Sequence, residues 1–150
     1  MGIFSLNLIK LKYYALDKKS LLSEMVEFLY ENSVINSYKE FFQSIMEREN
    51  LMSTGIGKGV AIPHARSNIV TDFKIAIFIL DNELDFDAID DIPVKIIFMI
   101  AVPERMKKEY MKFLSLISNF FQNKENRNNL LKSQTKEEII NILKGINYEV

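Results

Sequence analysis

The sequence predicts an α/β fold: a single-domain sandwich in which a mixed, mostly buried β-sheet is flanked by amphipathic helices. Two nearly continuous runs of β-formers, Lys74 to Leu80 and Val94 to Val102, are the first reason. Strands that alternate polar and apolar residues have one wet face, whereas unbroken apolar strands are covered on both. The second reason is the helical spacing of apolar residues on either side of those runs, which supplies the covering layers. With 150 residues, 48% hydrophobic and 26% charged, the chain has the size and composition of one domain, expected to span 1–150.

In chain order, Leu21, Leu22, Met25, Val26, Phe28 and Leu29 follow Asp17, an N-cap residue, and predict a helix from about Lys18 to Glu31. Ser37-Tyr-Lys-Glu40 is a capping-box pattern before Phe41, Phe42, Ile45 and Met46, so a second helix is expected to end near Arg48 and Glu49. Val60-Ala-Ile62 reads as a brief strand stopped by Pro63, which has no N–H for a ladder. The two long strands follow. The acid-rich connection between them, Asp81 to Asp91, is expected to be a solvated loop with Phe86 and Ile89 tucked inward. After Pro103, a stripe from Met106 through Tyr110, Phe113, Leu114, Ile117, Phe120 and Phe121 predicts a helix from about Glu104 to Gln122. Lys124 to Lys132 is a short polar helix, and Thr135-Lys-Glu-Glu138 opens a last one that Gly145 closes.

Composition excludes several functions. With 19 basic and 20 acidic residues and a net charge of -1, no nucleic-acid partner is expected. Cysteine is absent, which removes disulfides, thiol nucleophiles and thiolate metal sites and suits a cytoplasmic protein. The longest apolar run, Ile96 to Val102, is too short for a bilayer, so no membrane insertion is expected. The acids of 81–91 lack the glycine and spacing of a calcium loop.

The least average passage runs from Arg48 to Arg66. It holds three of the five glycines, Gly55, Gly57 and Gly59, followed by His64, the only histidine. Gly55-Ile-Gly57-Lys58-Gly59-Val60 fails both the Walker and the dinucleotide spacing. With one histidine and no cysteine, no metal or other cofactor is expected. No nucleophile-elbow pattern surrounds Ser53, Thr54 or Ser67. That leaves the imidazole itself as nucleophile, flanked by the cations Arg48, Lys58 and Arg66, a set suited to phosphoryl transfer. An imidazole with a reference pKa of about 6.5 offers a lone pair at neutral pH. Arg48 is the guanidinium expected to meet phosphoryl oxygens. From spacing alone, His64 is equally well a strand-end residue bonded to a neighbour.

These residues resemble the enzyme IIA family of the bacterial phosphoenolpyruvate:sugar phosphotransferase system, in its fructose/mannitol class. The pattern Arg-Glu-x-x-x-Ser-Thr-Gly-x-Gly-x-Gly-x-Ala-x-Pro-His stands complete as Arg48-Glu49, Ser53-Thr54-Gly55, Gly57, Gly59, Ala61 and Pro63-His64. Likeness runs from about Leu21 to Leu143, and includes Phe86-Asp-Ala-Ile-Asp90 and Pro93-Val94. The resemblance implies an α/β sandwich in which His64 accepts a phosphoryl group on Nε2 from phospho-HPr and passes it to a cysteine of an enzyme IIB component for sugar uptake. It implies that Arg48 binds the phosphoryl oxygens, with Thr54, Gly55 and Gly57 in support. The alternative is the nitrogen-regulatory branch, whose phosphorylation state controls binding to other proteins. One departure stands out: where sugar-transporting members carry a second histidine, this chain has Tyr110. A phenol donates a hydrogen bond and carries no cationic charge, so Tyr110 reads equally as a pocket residue and as part of the helical core stripe.

Overall fold

Strand β6 (Val94–Pro103) organises the sheet in this computed structural model, which describes residues 2–146. It pairs antiparallel with β5 (Lys74–Leu84), and β5 pairs parallel with β1 (Ile9–Tyr13). On its other side β6 pairs parallel with two short strands, β3 (Val60–Ala61) and β4 (His64–Ser67). A further short strand, β2 (Gly55–Gly57), folds back antiparallel on β3, giving a six-stranded mixed sheet.

Helices α1 (Lys18–Glu31) and α2 (Tyr38–Leu51) cover one face of the sheet. Helices α3 (Lys107–Gln122), α4 (Lys124–Lys132) and α5 (Lys136–Leu143) cover the other. Successive residues of the central strands serve opposite cores. Phe78, Ile97 and Met99 meet Leu22, Met25 and Phe41, while Ile77, Phe98 and Ile100 meet Phe113, Ile117 and Leu130. Each such side chain contributes about 1.5–3 kcal/mol on leaving water, so the continuous apolar runs are explained by two cores.

The helix starts agree with their caps. Asp17 accepts from the backbone N–H of Ser20, Ser37 from that of Glu40, and Thr135 from that of Glu138. Three boundaries differ from the sequence reading. Helix α2 runs on to Leu51 and β5 runs on to Leu84, whereas α3 starts at Lys107 because Pro103 is still in β6 and a turn intervenes. Strand β1 and strand β2 carried no readable signal.

The brief strand β3 ends before Pro63 as expected, and β4 takes up the same register on β6 at His64: Val60 faces Ile96, Ala61 faces Ile97, and His64 faces Ile100. Proline withholds a donor, but its carbonyl still accepts from the Ile100 N–H at 2.9 Å. One expectation needs correction: Ile89 is not tucked inward; it is 80% exposed. In the connection after β5, Leu84, Phe86 and Ala88 are buried in alternation around a turn at Asp87, whose φ is +54°, so Ala88 takes the inward place and Ile89 faces out.

Candidate functional site

The carboxyl end of α2 begins the site. Arg48 lies in the last helical turn, where Nη1 donates to the Met52 carbonyl at 2.7 Å and its charge complements the helix dipole. The neighbouring Glu49 points inward and is buried. Its carboxylate accepts from the Thr54 N–H at 3.0 Å and from the Thr54 hydroxyl at 2.5 Å. Lys18 of α1 stands 3.8 Å from Glu49 and donates to the Phe86 carbonyl at 3.1 Å. A buried carboxylate is tolerable only when so compensated, and here the compensation fixes the loop after α2.

The glycines then make a tight hairpin of β2 and β3. Gly57 has φ +100°, a backbone state that favours glycine. Gly55 is needed for space, because a Cβ there would meet the Ala88 Cβ at 2.8 Å. The Asp90 carboxylate clamps the turn by accepting from the Lys58 N–H at 2.7 Å, and this backbone bond holds its pKa below the usual carboxylate value.

This frame delivers His64 at the start of β4, only 8% exposed. Nδ1 lies 2.7 Å from the Ile62 carbonyl oxygen. A carbonyl only accepts, so Nδ1 carries the proton and the neutral ring presents an unprotonated Nε2. Burial pushes the imidazole pKa below its ordinary value against the upward pull of the Ile62 carbonyl, and the Arg48 charge adds to the lowering. The lone pair is therefore available at neutral pH.

Tyr110, in the first turn of α3, sets its ring centroid 5.6 Å from that of His64 at an interplanar angle of 56°. Burial raises the phenol pKa, with Arg48 and Arg66 pulling the other way, so the hydroxyl stays a neutral donor near pH 7. His64 and Arg48 form the wall between two depressions. One, of about 400 Å³, is mostly apolar and includes Met52, Ile56, Ile62 and Ile89. The other, of about 330 Å³, is polar and includes Ser44, Glu47, Arg66 and Tyr110.

Of the residues expected at the site, Arg48, Thr54, Gly55 and Tyr110 are brought to His64 or its cavities. Gly57 is not; it shapes the hairpin turn. Lys58 is also drawn away, its Nζ reaching Gln122 Oε1 at 3.3 Å. Sequence reasoning missed Glu49, Lys18 and Asp90 as the supports of the loop. The signal for Glu49 was its place in the motif beside Arg48, five residues before the Thr54 it holds. Among the described residues no group of three or more metal-ligating side chains converges, and no helix is long and apolar enough to cross a membrane.

The site thus sets one buried neutral imidazole beside a tethered guanidinium. Residues 2–146 match the family described as "Phosphoenolpyruvate-dependent sugar phosphotransferase system, EIIA 2". A nitrogen regulatory protein of Pseudomonas aeruginosa is 31% identical over 126 residues, 84% of this chain and 82% of that protein. A fructose-specific EIIABC component of Bacillus subtilis is 33% identical over 135 residues, 90% of this chain but 21% of that longer protein. The crystal structure of the nitrogen regulatory protein IIA-Ntr from Neisseria meningitidis superimposes with a TM-score of 0.88 at 35% identity, covering 94% of this chain and 96% of that one. IIA mannitol from Escherichia coli shares the fold, with a TM-score of 0.80 at 18% identity over 93% and 97% of the two chains. The match over nearly every described residue, joined to the complete Arg48-to-His64 motif on a mixed α/β sheet, places the chain in the EIIA 2 family of the phosphoenolpyruvate-dependent sugar phosphotransferase system.

Proposed function

We propose that the protein is a phosphocarrier component of a sugar phosphotransferase system in the cytoplasm, with His64 as its phosphohistidine. The observation that carries this reading is the Nδ1 contact to the Ile62 carbonyl, which leaves Nε2 free beside Arg48. In the accepting step the Nε2 lone pair forms an N–P bond while the bond from phosphorus to phospho-HPr breaks, its electron pair leaving with the donor atom. Arg48 meets the charge on the equatorial oxygens, and Tyr110 donates a neutral hydrogen bond to one of them. Thr54 and Gly55 act through the frame: one holds the loop to Glu49, the other lets it approach Ala88. In the donating step a cysteine sulfur of an enzyme IIB component forms a bond to phosphorus while the N–P bond breaks, its electron pair returning to Nε2. Support for that acceptor comes from a structural relative determined as a complex of enzyme IIA mannitol with phosphorylated enzyme IIB mannitol.

A second reading, a nitrogen-type regulator, is favoured by one observation. The Neisseria IIA-Ntr structure matches at 35% identity, against 18% for IIA mannitol. Incubation with phosphoenolpyruvate, enzyme I and HPr tests the shared chemistry: an acid-labile phosphate is expected by mass spectrometry and is lost in His64→Ala. Failure to label, or labelling that persists in His64→Ala, sinks the carrier reading. Rapid discharge to an added IIB domain selects transport over regulation.

A further inference from the structure

Strand β4 carries a second cation that this reading leaves unused. His64 and Arg66 stand two residues apart on an extended strand, so their side chains leave the same face of the sheet. Both belong to the polar depression, together with Arg48 from α2 and Tyr110 from α3. Arg48 and Arg66 both pull the Tyr110 phenol pKa downward, and the Tyr110 ring packs against that of His64.

The two arginines are held alike. Arg48 donates one Nη1 proton to the Met52 carbonyl at 2.7 Å, and Arg66 donates one to the Glu104 carbonyl at 2.6 Å. A guanidinium is a planar fork of several donors, so each tether leaves donors for an anion and restricts the side chain beforehand. A transferring phosphoryl group has three equatorial oxygens, and one fork engages two at most. Lys58, the other cation near the motif, reaches towards Gln122 and lines neither depression. Arg66 is exposed, so water screens it in the free protein, and a docked partner would strengthen its pull by excluding that water.

We infer that Arg66 is a second phosphoryl-binding residue, sharing with Arg48 the charge of the group carried on His64 Nε2. The inference rests on the phosphocarrier reading. Its test uses phosphoramidate, a small donor that needs no protein partner: the P–N bond of the reagent breaks, ammonia leaves and takes a proton from water, and Nε2 takes the phosphoryl group. The rate of labelling is followed on the intact protein by mass spectrometry.

Arg66→Gln is expected to label about tenfold more slowly than the wild type, the size of one lost charge-assisted contact, with no more than a small drop in melting temperature from the lost Glu104 tether. Arg66→Lys keeps the charge without the fork and is expected to fall between the two. If Arg66→Gln labels at the wild-type rate, the inference is overturned and the carrier reading stands. If Arg66→Lys is as slow as Arg66→Gln, the loss belongs to the Glu104 tether and the inference is likewise overturned. A wild-type protein that takes no phosphate on His64 from phosphoramidate overturns both.

Discussion

The Nδ1 of His64 lies 2.7 Å from the carbonyl oxygen of Ile62, two residues earlier in the chain. The contact costs the ring one nitrogen and commits the other to the cavity. Burial lowers the folded pKa of His64, and the Arg48 charge lowers it further, against the pull of that same carbonyl. The unfolded chain titrates near the reference value of about 6.5. Below that pH the unfolded state binds a proton that the folded state refuses, so stability present above about 6.5 is lost as pH falls towards the lowered value. Since the chain has one histidine, a proton NMR titration reads it without ambiguity. A midpoint below about 6.5 is expected; one at or above it contradicts this account.

Arg48→Ala removes the guanidinium beside His64. By the scale of a lost oxyanion donor, labelling from phospho-HPr is expected to fall about 100-fold. Arg48→Lys, which keeps charge but not the fork, is expected to lie between. Loss of the Met52 tether is worth about 1 kcal/mol of stability, so a chemical denaturation curve run beside the labelling assay separates the two effects. Equal labelling of Arg48→Ala and wild type removes Arg48 from the site.

Tyr110→Phe keeps the ring that stacks obliquely on His64 and deletes only the hydroxyl. A neutral hydrogen bond of about 1 kcal/mol predicts roughly a fivefold slower labelling. Unchanged labelling in a normally folded variant would assign Tyr110 to the core stripe alone.

Glu49 and Thr54 form the most consequential buried polar pair. Glu49→Ala leaves both Thr54 donors unanswered and Lys18 without its carboxylate, and about 3 kcal/mol of destabilisation is expected in urea unfolding. Thr54→Val, which leaves the Lys18 pairing in place, is expected to cost about 1–2 kcal/mol. The double variant should cost less than the sum; strict additivity would mean that the two residues do not act as a unit.

Gly55→Ala places a methyl against the Cβ and Cα of Ala88, at 2.8 and 2.9 Å. Overpacking of this kind costs about 1–3 kcal/mol. Ala88→Gly is expected to recover part of the loss, since the Cα remains. Thermal melting of the two single variants and the double variant measures the coupling, and absence of any recovery argues against this contact as the cause.

Much of this molecule was legible in its residues. The covered strands, the capped helices and the motif ending in His64 announce themselves through local chemistry, as when Asp17 and Ser20 exchange hydrogen bonds across one turn. What was not legible depends on partners distant in the chain. Strand β1 borrows its place from β5, and β4 starts directly after Pro63 because β6 supplies a register that no local pattern encodes. Ile89 was misjudged because hydrophobicity says nothing about parity: the alternation set by Leu84, Phe86 and Ala88 turned it outward. Lys58 and Arg66 look alike beside the motif in sequence, and only the fold sends one to Gln122 and the other to the depression by His64.

Among the described residues β4 pairs with β6 alone, and the strand that pairs with His64 is synthesised well after it. A chain emerging from the ribosome therefore possesses the entire motif from Arg48 to His64 long before it possesses a site. Loop closure over that distance has to come first. If His64 takes phosphate as proposed, its labelling would also report that β6 is in place, since a fragment that ends before Val94 retains the histidine and Arg48 yet lacks the strand that pairs with β4.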